Sequence, residues 1–178
     1  LWSSGYRPFY LLGAAYAPLL VAGVVGAFAG VVDLSAVGNA PPLWHGHEMV
    51  FGFAVAIIFG TLLTALPSWA GTPEVQGARL LPLAVLWLLG RAAFWAEPWL
   101  PRGVTAVADM LLLPALFAIL TPQVWRVANR WYRLLAPILV ALTLANGIYH
   151  AGILAGDAVL ARTGLHAGVY AAIVLYVL

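Results

Sequence analysis

Apolar residues along this chain fall into six long runs, at about residues 9–32, 43–66, 80–96, 103–121, 133–155 and 165–178. An α-helix needs roughly 20 residues to cross a hydrocarbon core, and five of the runs are close to that length. The breaks between them hold turn and helix-breaking residues: Gly38-Asn39-Ala40-Pro41-Pro42, the stretch from Pro67 to Gly77, Glu97-Pro98-Trp99-Leu100-Pro101, and Thr121-Pro122. No strand alternation and no low-complexity linker interrupts this pattern. It predicts an all-α, polytopic transmembrane bundle of about six spans, forming a single domain over residues 1–178. The last run, from His166 onward, is shorter than a span, so the chain is expected to be truncated, processed or seen only in part. Ala27-Phe28-Ala29 looks like a small-x-small cleavage site. However, about 20 apolar residues precede it, against the roughly 7–15 of a signal core, so a retained first span is expected.

Composition strengthens the membrane assignment. Of 178 residues, 64% are hydrophobic and 8% charged, with a mean hydropathy of +0.99. Soluble domains hold about 45–50% apolar and about 25% charged residues, and six such runs in a soluble bundle would leave almost no polar surface. All eight basic residues are arginine, and the formal net charge of +2 is too small and too dispersed for nucleic-acid binding. The absence of cysteine excludes disulfides, thiolate metal sites and iron–sulfur clusters. Any metal must be held by His, Met, carboxylate, Tyr or backbone.

Charge placement sets an orientation. With a cytoplasmic N-terminus, the inner side receives Arg7, Arg79, Arg126, Arg130 and Arg133. The outer side receives Arg102 and Arg162, beside Asp33, Glu97 and Asp157. This excess of arginine predicts the N-terminus inside. Trp44, Trp69, Trp99, Trp125 and Trp131 fall near predicted boundaries, as an interfacial aromatic belt would. In this topology all four histidines, His45, His47, His150 and His166, lie on the outer side.

The candidate chemistry concentrates in Trp44-His45-Gly46-His47-Glu48-Met49, at the lip of the second run. Ionisable groups at a membrane span are costly and mark function by default, and imidazole is the commonest metal ligand. On a helix, His45 and His47 face nearly opposite ways, whereas His45 and Glu48 share a face; both histidines converge only if Gly46 lets the backbone leave the helix. The alternative is a helix start with interfacial histidines and a glutamate favoured by the helix dipole. Asn146 and His150, four apart, stack on one helical face, so Asn146 can orient His150 as a ligand. The bland alternative is a polar interhelical contact. His166 is either a further ligand or a solvated interfacial histidine. Arg91 and Asp109 lie at equal depth, roughly 9 Å in, on adjacent antiparallel spans, which predicts an ion pair. Gly26-Ala27-Phe28-Ala29-Gly30 reads as a small-residue packing surface. There is no nucleophile with a paired base, no phosphate-binding glycine loop and no HExxH zinc motif.

Several of these blocks resemble the NnrS family: Gly5-Tyr6-Arg7-Pro8-Phe9-Tyr10, the stretch from Leu43 to Phe53, Thr61 to Gly71, Trp87-Leu88-Leu89-Gly90-Arg91, and Asn146 to His150. The resemblance covers nearly the whole chain, and its most specific part is His45-Gly46-His47-Glu48-Met49 with Phe51-Gly52-Phe53. It implies a multi-pass bacterial inner-membrane protein with haem, of b type, and copper, linked to nitric oxide stress and denitrification. His45, His47, Glu48, Arg91, Asn146 and His150 match polar motif positions. The implied cofactor-binding residues are His45, His47, His150, Arg91 and Asn146, and the implied metal ligands His45, His47, His150, His166 and Glu48. His45, His47 and His150 are expected to approach one another or a haem. Family members have about twice as many spans, so this chain resembles a first half, with a second half or other transmembrane subunits as partners beside the lipid bilayer. Two alternatives stand beside this: a non-catalytic small subunit of a larger respiratory complex, and a transporter half built from repeated units.

Overall fold

The computed structural model describes residues 1–32 and 41–178. The break expected at residues 38–40, and Asp33, lie outside the described residues. Among those described, the chain is helical without strands. Helix α1 spans Tyr6–Phe28, α2 Pro41–His47 and α3 Val55–Ala70, with a π-helical segment, Glu48–Ala54, between the last two. Then follow α4 (Leu81–Trp95), α5 (Arg102–Met110), α6 (Leu112–Val124), α7 (Leu135–Ala155) and α8 (Ala158–Val177). Six continuous helical stretches are long and apolar enough to cross a membrane: Tyr6–Phe28, Pro42–Ala70, Gly77–Trp95, Arg102–Val124, Arg130–Ala155 and Ala158–Val177. The six-span expectation therefore holds.

The differences lie at the ends. Pro67 and Pro122 do not break their helices but sit in the last turns of α3 and α6. Helix α3 stops at Gly71, whose φ of 63° is the left-handed geometry that glycine adopts without cost. The sixth span begins at Ala158 rather than 165, because the Asp157 carboxylate accepts from the Val159 and Leu160 amides and caps the helix there. The last helix is thus 20 residues long.

The second span is the core of the bundle: 56% of its most apolar window is buried, against 22% for the first and last spans. It packs against α1 on one side, α6 on another, and α8 at the π segment. Phe9 of α1 meets Phe59 of α3 with ring centroids 5.2 Å apart. Helices α7 and α8 pack most closely, because Gly164 lies directly on the Ala145–Tyr149 backbone and Gly152 on Ala161. Small residues let backbones approach where lipid gives no hydrophobic drive. The Gly26–Gly30 stripe does something else: Gly26 receives Val32 from its own C-terminal turn, which the Val31 and Val32 amides tie to the Gly26 carbonyl.

Trp69, Trp99, Trp125 and Trp131 are exposed, as belt residues should be. Trp44 is not; it is buried against Trp95, at a centroid distance of 5.0 Å. The alternating spans leave Arg7, Arg79, Arg126, Arg130 and Arg133 at one end of the bundle and all four histidines toward the other, here called the histidine end.

Candidate metal centre

About one and a half to two helical turns inside the histidine end, four spans turn polar side chains toward one point. His47 and Glu48 come from the second span, Arg91 from α4, Asp109 from α5, and Asn146 and His150 from α7. All six are buried.

Their geometry starts with the π segment. Glu48 opens it, and the Val55 amide at its far end reaches back five residues to the Val50 carbonyl. His47 closes α2 and Glu48 opens the π segment, and both side chains are fully buried among the neighbouring spans. Gly46 keeps helical geometry, so it provides no break. Instead, His47 goes to the core, while His45 on the opposite side is half-buried. The expected His45–Glu48 face therefore gives way to a His47–Glu48 contact, with His47 Nδ1 3.0 Å from Glu48 Oε1.

The other ring nitrogen of His47 faces Asn146 Oδ1 at 2.9 Å and Asp109 Oδ2 at 3.4 Å. Asn146 is oriented by its Nδ2, which donates to Asp109 Oδ2 at 2.7 Å. His150 Nε2 lies 2.9 Å from the same Asp109 oxygen. Both nitrogens of His47 thus face oxygen acceptors, so a cation, proton or metal, belongs at Nε2. Asn146 spans His47 and Asp109 rather than holding His150 directly.

The Arg91–Asp109 ion pair forms as equal depth predicts, with Arg91 Nη2 donating to Asp109 Oδ1. Arg91 also stands 3.5 Å from Glu48 Oε1 through Nη1, beside the faces of Trp87 and Phe94. Glu48 takes one further donor, the Tyr16 hydroxyl from the first span, and that hydroxyl accepts from Trp95 Nε1 at 3.0 Å. Two carboxylates against one guanidinium leave the cluster with one excess negative charge when His47 is neutral.

His47 Nε2, Asp109 Oδ2 and His150 Nε2 could together hold a metal ion: their nearest ligand atoms lie within 4.8 Å of one another. Ligand atoms about 2.0–2.1 Å from a tetrahedral ion sit roughly 3.3 Å apart, close to the 2.9 and 3.4 Å found here. The pairing of Glu48 with His47 Nδ1 supplies the outer carboxylate that fixes a ligating imidazole. Aromatic rings close the site. Phe94 stacks on His47 at 4.3 Å and 16°, and Tyr149 covers it at 4.3 Å and 34°.

Of the sequence-predicted residues, His47, Glu48, Arg91, Asn146 and His150 come together. His45 and His166 do not join them: His166 is exposed, and the buried His45 Nδ1 has no partner among the described residues. Sequence reasoning took Asp109 only as the partner of Arg91 and missed Tyr16. Asp109 carried a signal, since it lies one bundle depth from both histidines; Tyr16 carried none, being one aromatic among many in its span.

Beside His150 a small cavity opens toward the histidine end, lined by Trp44, Phe94, Glu97, Arg102, Thr105, Tyr149, His150 and Ile153. Its volume of ≈ 10 Å³ has room for about one water. Glu97 lies between spans, and burial raises its carboxyl above the ordinary value, opposed by Arg102.

A model of the protein family described as NnrS protein matches residues 1–178. No curated protein and no solved structure matches the chain.

Proposed function

Because the chain belongs to the NnrS family, we propose that it is a nitric-oxide-response protein of the bacterial inner membrane, holding copper in its buried cluster. The observation that carries this is the convergence of His47, Asp109 and His150 behind the Glu48–His47 contact. Bound there, copper supplies one-electron redox chemistry and an affinity for small ligands such as nitric oxide. Glu48 accepts a hydrogen bond from His47 Nδ1–H and leaves Nε2 as the ligand atom. Arg91 holds Asp109 Oδ1, so that Oδ2 is the oxygen presented. Asn146 donates to Asp109 Oδ2 and keeps it between the two histidines. The unmet negative charge favours a singly charged ion, the cuprous state, over a divalent one. With the N-terminus cytoplasmic, the site opens outward.

Haem does not fit the same residues. A porphyrin must stand against the ligating nitrogen, where Asn146 and Asp109 already lie 2.9 Å from His47 and His150. Both ring faces of His47 are covered as well. Haem falls instead to His45 and His166. Leu165 of α8 packs on Gly46 of α2, so these two histidines flank one helix–helix contact near the histidine end.

Elemental analysis and an optical spectrum of the purified protein test both assignments. The expected result is one copper per chain, lost in His47→Ala and His150→Ala, and a Soret band lost in His45→Ala or His166→Ala but kept in His47→Ala. A folded wild-type protein that binds no copper on reconstitution refutes the copper site. Exposure to nitric oxide should alter the spectrum of the copper-loaded protein and leave the copper-free His150→Ala spectrum unchanged in that respect.

A further inference from the structure

The ligand set is sealed on most sides. Phe94 and Tyr149 cover the faces of His47, and Phe51 stands 4.9 Å from its ring centre. Arg91 occupies one oxygen of Asp109, and Glu48 is wholly enclosed. The exception is His150, which borders the small cavity toward the histidine end. That cavity is polar for a membrane protein. Its lining includes Glu97, Arg102, Thr105 and Tyr149. It also includes Trp44, whose buried indole N–H has no hydrogen-bond partner among the described residues. An unpartnered buried donor beside a water-sized space marks a place where a polar guest is stabilised.

We propose that the metal ion reaches His150 through this cavity, drawn in by the Glu97 carboxylate and held back by the Arg102 guanidinium. This rests on the copper assignment above. Room for about one water means that the ion arrives almost bare. Stripping its hydration shell is expensive unless oxygen and nitrogen donors replace the lost water. Glu97, Thr105, Tyr149 and His150, all in the cavity lining, carry such donors. Half-buried Glu97 is the acidic side chain in the cavity wall, and exposed Arg102 stands at the start of α5 beside it. Charges at the mouth of a narrow, low-dielectric passage act on the rate at which an ion enters, more than on its final affinity.

The two charges therefore have opposite effects on one rate. Metal-free protein in nanodiscs is mixed with cuprous ion buffered by a competing chelator, and uptake is followed by stopped flow, with affinity measured at equilibrium. Glu97→Gln is expected to slow uptake about fivefold and Arg102→Gln to speed it about threefold. The equilibrium affinity of both variants should stay close to wild type. Ile153→Trp, which fills the cavity, should slow uptake further. Equal rates in wild type and both charge variants overturn the route, and so does slowing by both, since a packing defect would have that result. A wild-type protein that takes up no copper overturns the route and the copper assignment together; one that loads normally while the variants keep its rate overturns the route alone.

Discussion

Removing Arg91 should cost the fold more than removing Asp109, although the two form one ion pair. Breaking a buried pair leaves an uncompensated charge and costs about 3–5 kcal/mol. In Asp109→Asn the guanidinium keeps a second carboxylate, Glu48 Oε1, 3.5 Å from Nη1. The new amide can still meet His150 and Asn146, so the cost falls near the low end, about 3 kcal/mol. In Arg91→Met, Glu48 and Asp109 both remain, with His47 alone between them, and the cost approaches about 5 kcal/mol. The double variant removes one charge of each sign and leaves Glu48 held by His47 and Tyr16. Its cost should be about 5 kcal/mol rather than the 8 or so of the sum, a coupling of roughly 3 kcal/mol. Arg91→Lys keeps the charge but cannot bridge two carboxylates, and should lie between wild type and Arg91→Met. Reversible unfolding in mixed micelles, followed by tryptophan fluorescence, measures all four. Additivity within about 0.5 kcal/mol, or a larger cost for Asp109→Asn than for Arg91→Met, refutes this account of the cluster.

Asn146→Leu removes the amide between His47 and Asp109, and should weaken cuprous affinity about 10–100-fold with little change in helix content by circular dichroism. Gly164→Ala drives a methyl group into the Ala145–Tyr149 backbone and should destabilise by about 1–3 kcal/mol. Gly103→Ala meets open space in α5 and should be neutral or stabilising, and the difference in Tm between the two checks the close α7–α8 packing. Burial raises the Glu97 carboxyl, so the folded chain holds that proton more tightly than the unfolded one. Its contribution to stability is present at low pH and lost as pH rises from the ordinary carboxylate range through the raised value. Glu97→Gln should therefore flatten the fall in Tm over that interval.

How much of this was legible depends on which physical rule governs each residue. Six spans follow from the length of the apolar runs, because a bilayer imposes that length on any helix crossing it. Their ends moved where a capping side chain decided the matter, as Asp157 does for α8. The opposite facing of His45 and His47 follows from helical periodicity, and the Arg91–Asp109 pair from matching depths. The assembly of the cluster was hidden, since nothing in the order of residues says which faces of α4, α5 and α7 meet. The π segment was hidden too. Its residues, Glu48–Ala54, carry no composition that sets them apart from an ordinary span.

Gly52 shows why the irregular helix and the site are one construction. A Cβ there would collide with Arg91 and crowd Tyr16, so only glycine lets the guanidinium pass close enough to reach both carboxylates. The carbonyl of the same residue accepts from Trp87 Nε1 at 3.0 Å, a donor from another span that the loosened coil can accommodate. Trp87 in turn lies under the Arg91 guanidinium and edge-on to Tyr16, at 6.0 and 5.4 Å from their centres. The π segment meets the site twice, through Glu48 at its start and through Gly52 beside Arg91. Tyr16 of α1 with Trp87 and Arg91 of α4 thus hold the irregular stretch in place from two neighbouring spans.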